Sequence, residues 1–358
     1  MSSGPIHTKP VGSYFAGRKR RIYSLLGLIL LLLVIIALAT SIGSVKIPLP
    51  TTAGIILDWL PLVDIEQTWE DAIATVILEI RLPRVIMAGL VGAALATAGA
   101  TYQGLFRNPL ADPYLIGVAQ GASLGAIIGF LLPVAWNLSG FGLIPVLAFA
   151  GAILSTTVVY LLARVGKTVP VTTLILAGVA LSSLLSSIVS YLIISSDDAM
   201  HGILFWLMGS FSLSTWAEVR IVLPYVAVGT GIIILFARLL NVMQLDEEQA
   251  QQLGVNVERL KVILLACATL ITAASVAFVG TIGFVGIIIP HAVRLIWGAD
   301  HRFLLPLSVL TGAVFMILAD LLARTVLAPT EIPIGVITAI CGAPFFLYLL
   351  RRRKKVIF

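Results

Sequence analysis

Few residues in this chain have a type and spacing that could do chemistry. The four histidines are His7, His201, His291 and His301, and the two cysteines are Cys267 and Cys341. No pair of them stands at a metal-ligand spacing, so no metal site is expected. Both cysteines fall within apolar runs and read as packing residues rather than a disulfide framework. Arg164-Val-Gly-Lys-Thr168 ends like a phosphate loop. The pattern needs a glycine five residues before Gly166, where Leu161 stands, and no strand precedes it. The chain is therefore not expected to bind nucleotide itself. No Ser/His/Asp triad or pair of carboxylates can be assembled, so neither catalytic residues nor an enzyme is expected. His291, after Pro290, interrupts an apolar run and reads as a structural residue at a helix break. Asp320 and Arg324 are four apart and can pair along a helix, which would explain an acid inside an apolar run.

These residues sit on elements that composition identifies. Of 358 residues, 59% are hydrophobic and 11% charged, against about 25% charged in soluble domains. Disorder and an ordinary soluble fold are excluded. Apolar runs of roughly 20 residues, the length of a membrane-crossing helix, predict an all-α polytopic membrane protein. A β-barrel would alternate in short segments. About ten transmembrane helices are expected, at residues 22–42, 82–104, 114–133, 143–164, 171–194, 218–238, 261–279, 284–298, 303–323 and 334–350. The eighth is the weakest, and is expected to begin as an irregular segment. The resulting domains are a tail over 1–21, one transmembrane domain over 22–350 with an internal loop at 239–262, and a basic tail over 351–358. Segment 43–80, with Trp59 and Trp69, reads as a partly ordered loop lying on the membrane.

An even count puts both termini on one side. With both in the cytoplasm, about 18 of the Lys and Arg residues are cytoplasmic and about 5 external, as the positive-inside rule requires. The net charge of +6 is thus topological and gives no reason to expect nucleic acid as a partner. Basic residues 18–21, the following apolar run and Ala37-Leu38-Ala39 also look like a secretory signal with a cleavage site. The run is longer than a usual signal core, which favours a retained first span.

Several loop segments have both a structural and a functional reading. Leu245-Asp-Glu-Glu-Gln-Ala-Gln-Gln-Leu-Gly-Val255 predicts a short amphipathic helix under the membrane, started by Asp246 to Glu248 and ended by Gly254. It is either an inert interfacial helix or a docking helix for a cytoplasmic partner. Asn108, Pro109, Leu110, Thr172 and Thr173 place uncharged polar and apolar groups at the cytoplasmic ends of two spans. They suit a gate on a pathway, or ordinary helix capping by Thr172 or Asn108. Arg81, Arg84 and Arg324 lie on the disfavoured external side. They either anchor helices, with Glu79 and Asp320 as local partners, or form a cationic patch for a docking protein.

Several blocks occur in order: Arg81-Leu-Pro-Arg84, Gly92-Ala-Ala-Leu95, Gln103 to Pro113 (QGLFRNPLADP), Leu115-Ile-Gly117, Trp206-Leu-Met-Gly-Ser210 and Leu253-Gly-Val255. Gly283-Phe-Val-Gly286 with Pro290-His291, Asp300-His-Arg302 and Glu331-Ile-Pro-Ile-Gly335 follow. Over residues 70–350 the chain resembles the FecCD-type permeases of bacterial ABC importers, which carry iron–siderophores, haem and cobalamin. The resemblance implies a type II importer permease in the bacterial cytoplasmic (inner) membrane, with spans 2–5 and 7–10 as inverted-topology halves. It implies a second permease, expected to complete a homodimer. Two cytoplasmic ATPases would bind ATP and Mg, and a substrate-binding protein would dock outside. The ATPase contact would fall on Leu245, Asp246, Glu247, Glu248, Ala250, Leu253, Gly254 and Val255, and the binding-protein contact on Arg81, Arg84 and Arg324. The expected cargo is an iron–siderophore, with cobalamin or haem as the alternative. An ion-coupled secondary transporter is the alternative class, and would require unpaired charge within the spans.

Overall fold

The computed structural model describes residues 11–43, 45–59, 67–133, 137–138, 141–196 and 199–357. Helix α1 (Val11–Ser41) is apolar from its middle onward and mostly faces outward. A short helix α2 (Leu49–Asp58), opened by Pro50, follows. Then α3 (Asp71–Thr75), a π-helical turn (Val76–Arg81) and α4 (Leu82–Leu105) run on as one 35-residue helix. The second span is therefore longer than the expected 82–104, because part of the presumed external loop is helical. The basic tail's side chains beyond Arg351 lie outside the described residues.

A 3-10 turn (Pro113–Ile116) leads into α5 (Val118–Leu131). The strands β1 (Asn137–Leu138) and β2 (Phe141–Gly142) form a small antiparallel hairpin before α6 (Leu143–Ala163). Helices α7 (Val171–Ile194), α8 (Met200–Leu207), α9 (Trp216–Leu235) and α10 (Ala237–Val242) come next. The chain ends with α11 (Glu247–Gln252), α12 (Val257–Val279), α13 (Val285–Trp297), α14 (His301–Thr325) and α15 (Ile334–Ile357). Among the described residues seven helices are long and apolar enough to cross a membrane, and three shorter apolar ones are α5, α13 and the start of α15. Together they are the ten expected spans. The short third and eighth spans are partners under an offset of five, and each begins at a left-handed residue, Gly117 and Phe284.

Helix α4 is the centre of the bundle and packs against α9, α12, α13 and α14. Its small residues allow this, because in lipid helices associate by close backbone approach. A Cβ on Gly92 would overlap the Gly312 carbonyl of α14, and one on Gly99 would overlap the Gly286 carbonyl of α13.

The eighth span does begin irregularly. Residues 280–284 are not helical, with Gly280 and Phe284 at positive φ. Non-helical backbone at membrane depth needs partners inside the protein. Tyr114 supplies them: its hydroxyl donates to the Ile282 carbonyl at 3.1 Å and accepts from the Ile282 N–H at 3.0 Å. The Ser210 N–H donates to the Val279 carbonyl, and Ile334 and Gly335 donate to Gly209 and Met208. Pro290 has no N–H for the Gly286 carbonyl four residues earlier. The Gln103 side-chain amide of α4 donates to that carbonyl and to Ile287, each at 3.2 Å.

Gly99→Ala should therefore lower stability in detergent by about 1–3 kcal/mol through overpacking. Gly231→Ala, where an added Cβ meets nothing within 4 Å, should be neutral or stabilise by up to about 1 kcal/mol. Thermal unfolding of both variants checks the contrast; equal losses would contradict the packing argument.

Candidate functional site

Arg81 and Arg324 answer a need at the end of α1. The last carbonyls of a helix have no intrahelical donor, and cations suit that end of the dipole. Arg81, at the close of the π-helical turn, donates to the carbonyls of Thr40 at 3.1 Å, Ser41 at 2.9 Å and Val45 at 2.5 Å. Arg324 on α14 donates to Ile42 at 2.8 Å and to Ala39. Arg84, one helical turn after Arg81, forms bidentate contacts to two acids. Its Nη2 reaches Asp320 Oδ1 at 2.8 Å and its Nη1 reaches Glu331 Oε1 at 2.7 Å. Arg324 Nε stands 3.3 Å from Asp320 Oδ2, as the four-residue spacing predicted. The Ser212 hydroxyl donates to Glu331 at 2.5 Å. Burial pushes the Glu331 carboxyl up, but the hydrogen bonds from Arg84 and Ser212 outweigh it and hold it below its usual value.

This geometry corrects the expectation of an exposed cationic patch. The side chains of Arg84 and Arg324 are only 12% and 7% exposed, and Arg81 is buried. Each is committed to carbonyls or carboxylates of its own chain. Arg81 turns to the end of α1 and not to Glu79.

The end of the bundle beyond the C-terminus of α4 is built around α11. The Val255 N–H donates to Ala250 and the Gly254 N–H to Gln251, the paired bonds of a Schellman stop. Gly254 has φ +83°, a conformation that glycine adopts without strain. Ala250 is buried and Glu247 and Val255 are half-buried, while Leu245, Asp246, Glu248 and Leu253 are exposed. The expected docking residues thus divide into an inner face, with Ala250 buried, and an outer face on which Glu248 and Leu253 are exposed. The segment leading into α11 is held by polar contacts. Arg107 pairs with Asp246 at 2.6 Å, Gln244 donates to the Gly104 carbonyl at 3.2 Å, and Asn241 donates to Asp300 at 2.7 Å. The Arg302 hydrogen bonds hold the Asp300 carboxyl down at about 2.

The expected gate residues are dispersed in role. The Asn108 side chain accepts from the Leu110 N–H at 3.0 Å, closing a turn with Pro109 at its centre. Thr173 donates to the carbonyls of Ala163 and Pro170 at 2.9 and 2.8 Å and so closes the turn before α7. Its hydroxyl is occupied by those two carbonyls, whereas Thr172 is exposed. His291 is buried, edge-on to Phe345 at 6.2 Å. A cavity of about 730 Å³ opens between α8 and α15, lined in part by Leu207, Met208, Thr281, Gly335 and Ile340, with no charged lining residue.

Sequence reading missed Lys261, Glu258, Gln103 and Asp112. Lys261 counted only as a cytoplasmic base. Asp112 accepts from the Tyr114 N–H at 2.7 Å, and burial pushes its carboxyl up to about 6. A signal for Gln103 did exist: Pro290 inside an apolar run announces an orphaned carbonyl that a buried amide can satisfy.

Residues 29–352 match the model of the FecCD transport family. The cobalamin import system permease protein BtuC of Halobacterium salinarum is 48% identical over 275 residues, covering 77% of this chain and 73% of that protein. The hemin transport system permease protein HmuU of Yersinia pestis is 38% identical over 345 residues, covering 92% and 96%. A solved structure described as an ABC transporter of metal-chelate type, in an inward-facing conformation, superposes with TM-score 0.80 at 33% identity. It covers 92% of this chain and 99% of that one.

Replacing Arg84 with Met should destabilise the protein by about 3–5 kcal/mol, since it strands a buried carboxylate. Adding Asp320→Asn should recover part of that loss. Unfolding of the single and double variants checks it; no loss in Arg84→Met would remove the clamp's structural role.

Proposed function

The chain belongs to the FecCD transport family, and on that premise we propose that it imports a metal chelate together with separate ATPase and binding-protein subunits. It is a multi-span permease of the cytoplasmic membrane and of the ABC importer class, a transporter and not an enzyme. Within the proposal, ATP and Mg are bound by two cytoplasmic ATPases that seat on α11. A second copy of this chain completes the pathway, and both termini are cytoplasmic.

The observation that carries the proposal is the outer face of α11. Leu253 is 65% exposed and acidic Glu248 is exposed on the same short helix, an apolar and charged surface suited to a protein partner. The homodimer reading rests on the outward apolar faces of α7 and α15, where Leu176, Ile194 and Ile340 are exposed. The uncharged cavity beside α8 suits a bulky cargo held by many weak contacts. The ion-coupled alternative loses its main candidate, because both oxygens of Asp320 are engaged by Arg84 and Arg324.

For the cargo, the sequence expectation was an iron–siderophore. The 48% identity to a cobalamin permease favours a corrinoid as the second reading. Uptake of cobalamin, haemin and a ferric siderophore into vesicles carrying the assembled transporter decides between them. ATP-dependent uptake of one is expected, and uptake of none would refute the metal-chelate class.

Gly254→Val should strain the left-handed stop of α11 by about 1–2 kcal/mol and weaken ATPase attachment, although an added Cβ meets no neighbour. Co-purification of the ATPase with the inserted variant reads this out. Full retention would count against α11 as the docking element.

A further inference from the structure

Lys261 lies in the first turns of α12, and its side chain is 5% exposed. An ammonium has three donors, and here each meets an acceptor on a different part of the chain. One reaches Glu247 of α11 at 2.8 Å, one reaches Glu258 of α12 at 3.1 Å, and one reaches the Val169 carbonyl at 3.2 Å. The other oxygen of Glu258 accepts from the Val169 N–H at 3.1 Å. Both backbone polar groups of Val169 are thus held by α12, and the same lysine holds α11.

Val169 belongs to a stiff connection. Val165 and Thr168 pair through two backbone hydrogen bonds. Gly166 turns at φ +62°, and Pro170 precedes the first residue of α7. Thr173 ties the base of α7 to Ala163 at the end of α6. A displacement of Val169 is therefore passed to the base of α7. α7 carries an exposed stripe of Thr172, Leu176, Ser183 and Ser187 along one face.

We propose that Lys261 and Glu258 form a clasp that carries motion of α11 to the cytoplasmic end of α7, making Lys261 the positioning residue that couples ATPase contact to the pathway. The clasp rests on the reading of α11 as the ATPase-docking helix. Its physical basis is the cost of leaving a buried ammonium short of partners. When Glu247 moves with α11, Lys261 must follow or lose an anion, and Val169 follows Lys261. Apolar contacts alone would let α11 slide without that demand.

The test uses the full transporter with its ATPase and binding protein in vesicles, with labelled cobalamin, haemin and ferric siderophore supplied in parallel. Cargo moved per ATP hydrolysed is the readout. Lys261→Met should lower this ratio about fivefold or more, the scale of a broken coupled pair. Lys261→Arg, which keeps the cation, should recover most of it. Glu247→Gln cuts only the limb to α11 and should lower the ratio in a complex that still assembles. If Lys261→Met does not assemble, Glu247→Gln decides alone, and a normal ratio there overturns the clasp. Scrambling residues 245–255 separates the two ideas. Retained ATPase association after scrambling refutes the docking role and the clasp with it. Lost association together with a normal ratio in Glu247→Gln refutes the clasp only.

Discussion

Every backbone N–H and carbonyl at membrane depth must find its partner within the protein, because lipid offers none. Most of this chain meets the requirement by being helical. The departures from helix are where its polar side chains gather. The end of α1 is met by Arg81 and Arg324, the break before α13 by Tyr114, and the carbonyl orphaned by Pro290 by Gln103. Polar residues that look functional in isolation are first of all solutions to this constraint.

The same economy limits the transport chemistry open to the chain. The acid within the spans with the most promise, Asp320, is held by two guanidiniums and is not free to carry a cation. The cavity beside α8 is lined without charge. Such a lining does not grip a small ion tightly, and it suits a large solute that must pass through without being trapped. Other charged contacts cluster at the end of the bundle that carries α11.

On that side the bundle changes character. α11 is short, stopped by a Schellman turn and joined to α12 by the Lys261–Glu247 pair, while Asp246 just before it pairs with Arg107 just after α4. Charged contacts in a partly desolvated setting have defined geometry and are lost as wholes. They transmit displacement, whereas apolar surfaces of similar area can slip and repack. The centre of the bundle, where α4 meets α14 and α13 at glycine contacts, has no comparable latitude.

The sequence by itself determined the ten spans, the irregular start of the eighth, the short helix α11 with its glycine stop, and the pairing of Asp320 with Arg324. These depend on hydropathy, spacing and backbone preference, which are local along the chain. Only the tertiary structure decided what Arg81, Arg84 and Arg324 face, that Thr173 ties α7 to the end of α6, and that Lys261 is the meeting point of α11, α12 and the turn before α7. Arg84 finds Asp320 236 positions away, and Arg81 finds Thr40 41 positions away. A guanidinium or an ammonium takes whichever acceptors the fold brings within reach, and no periodicity in its own segment encodes which those are.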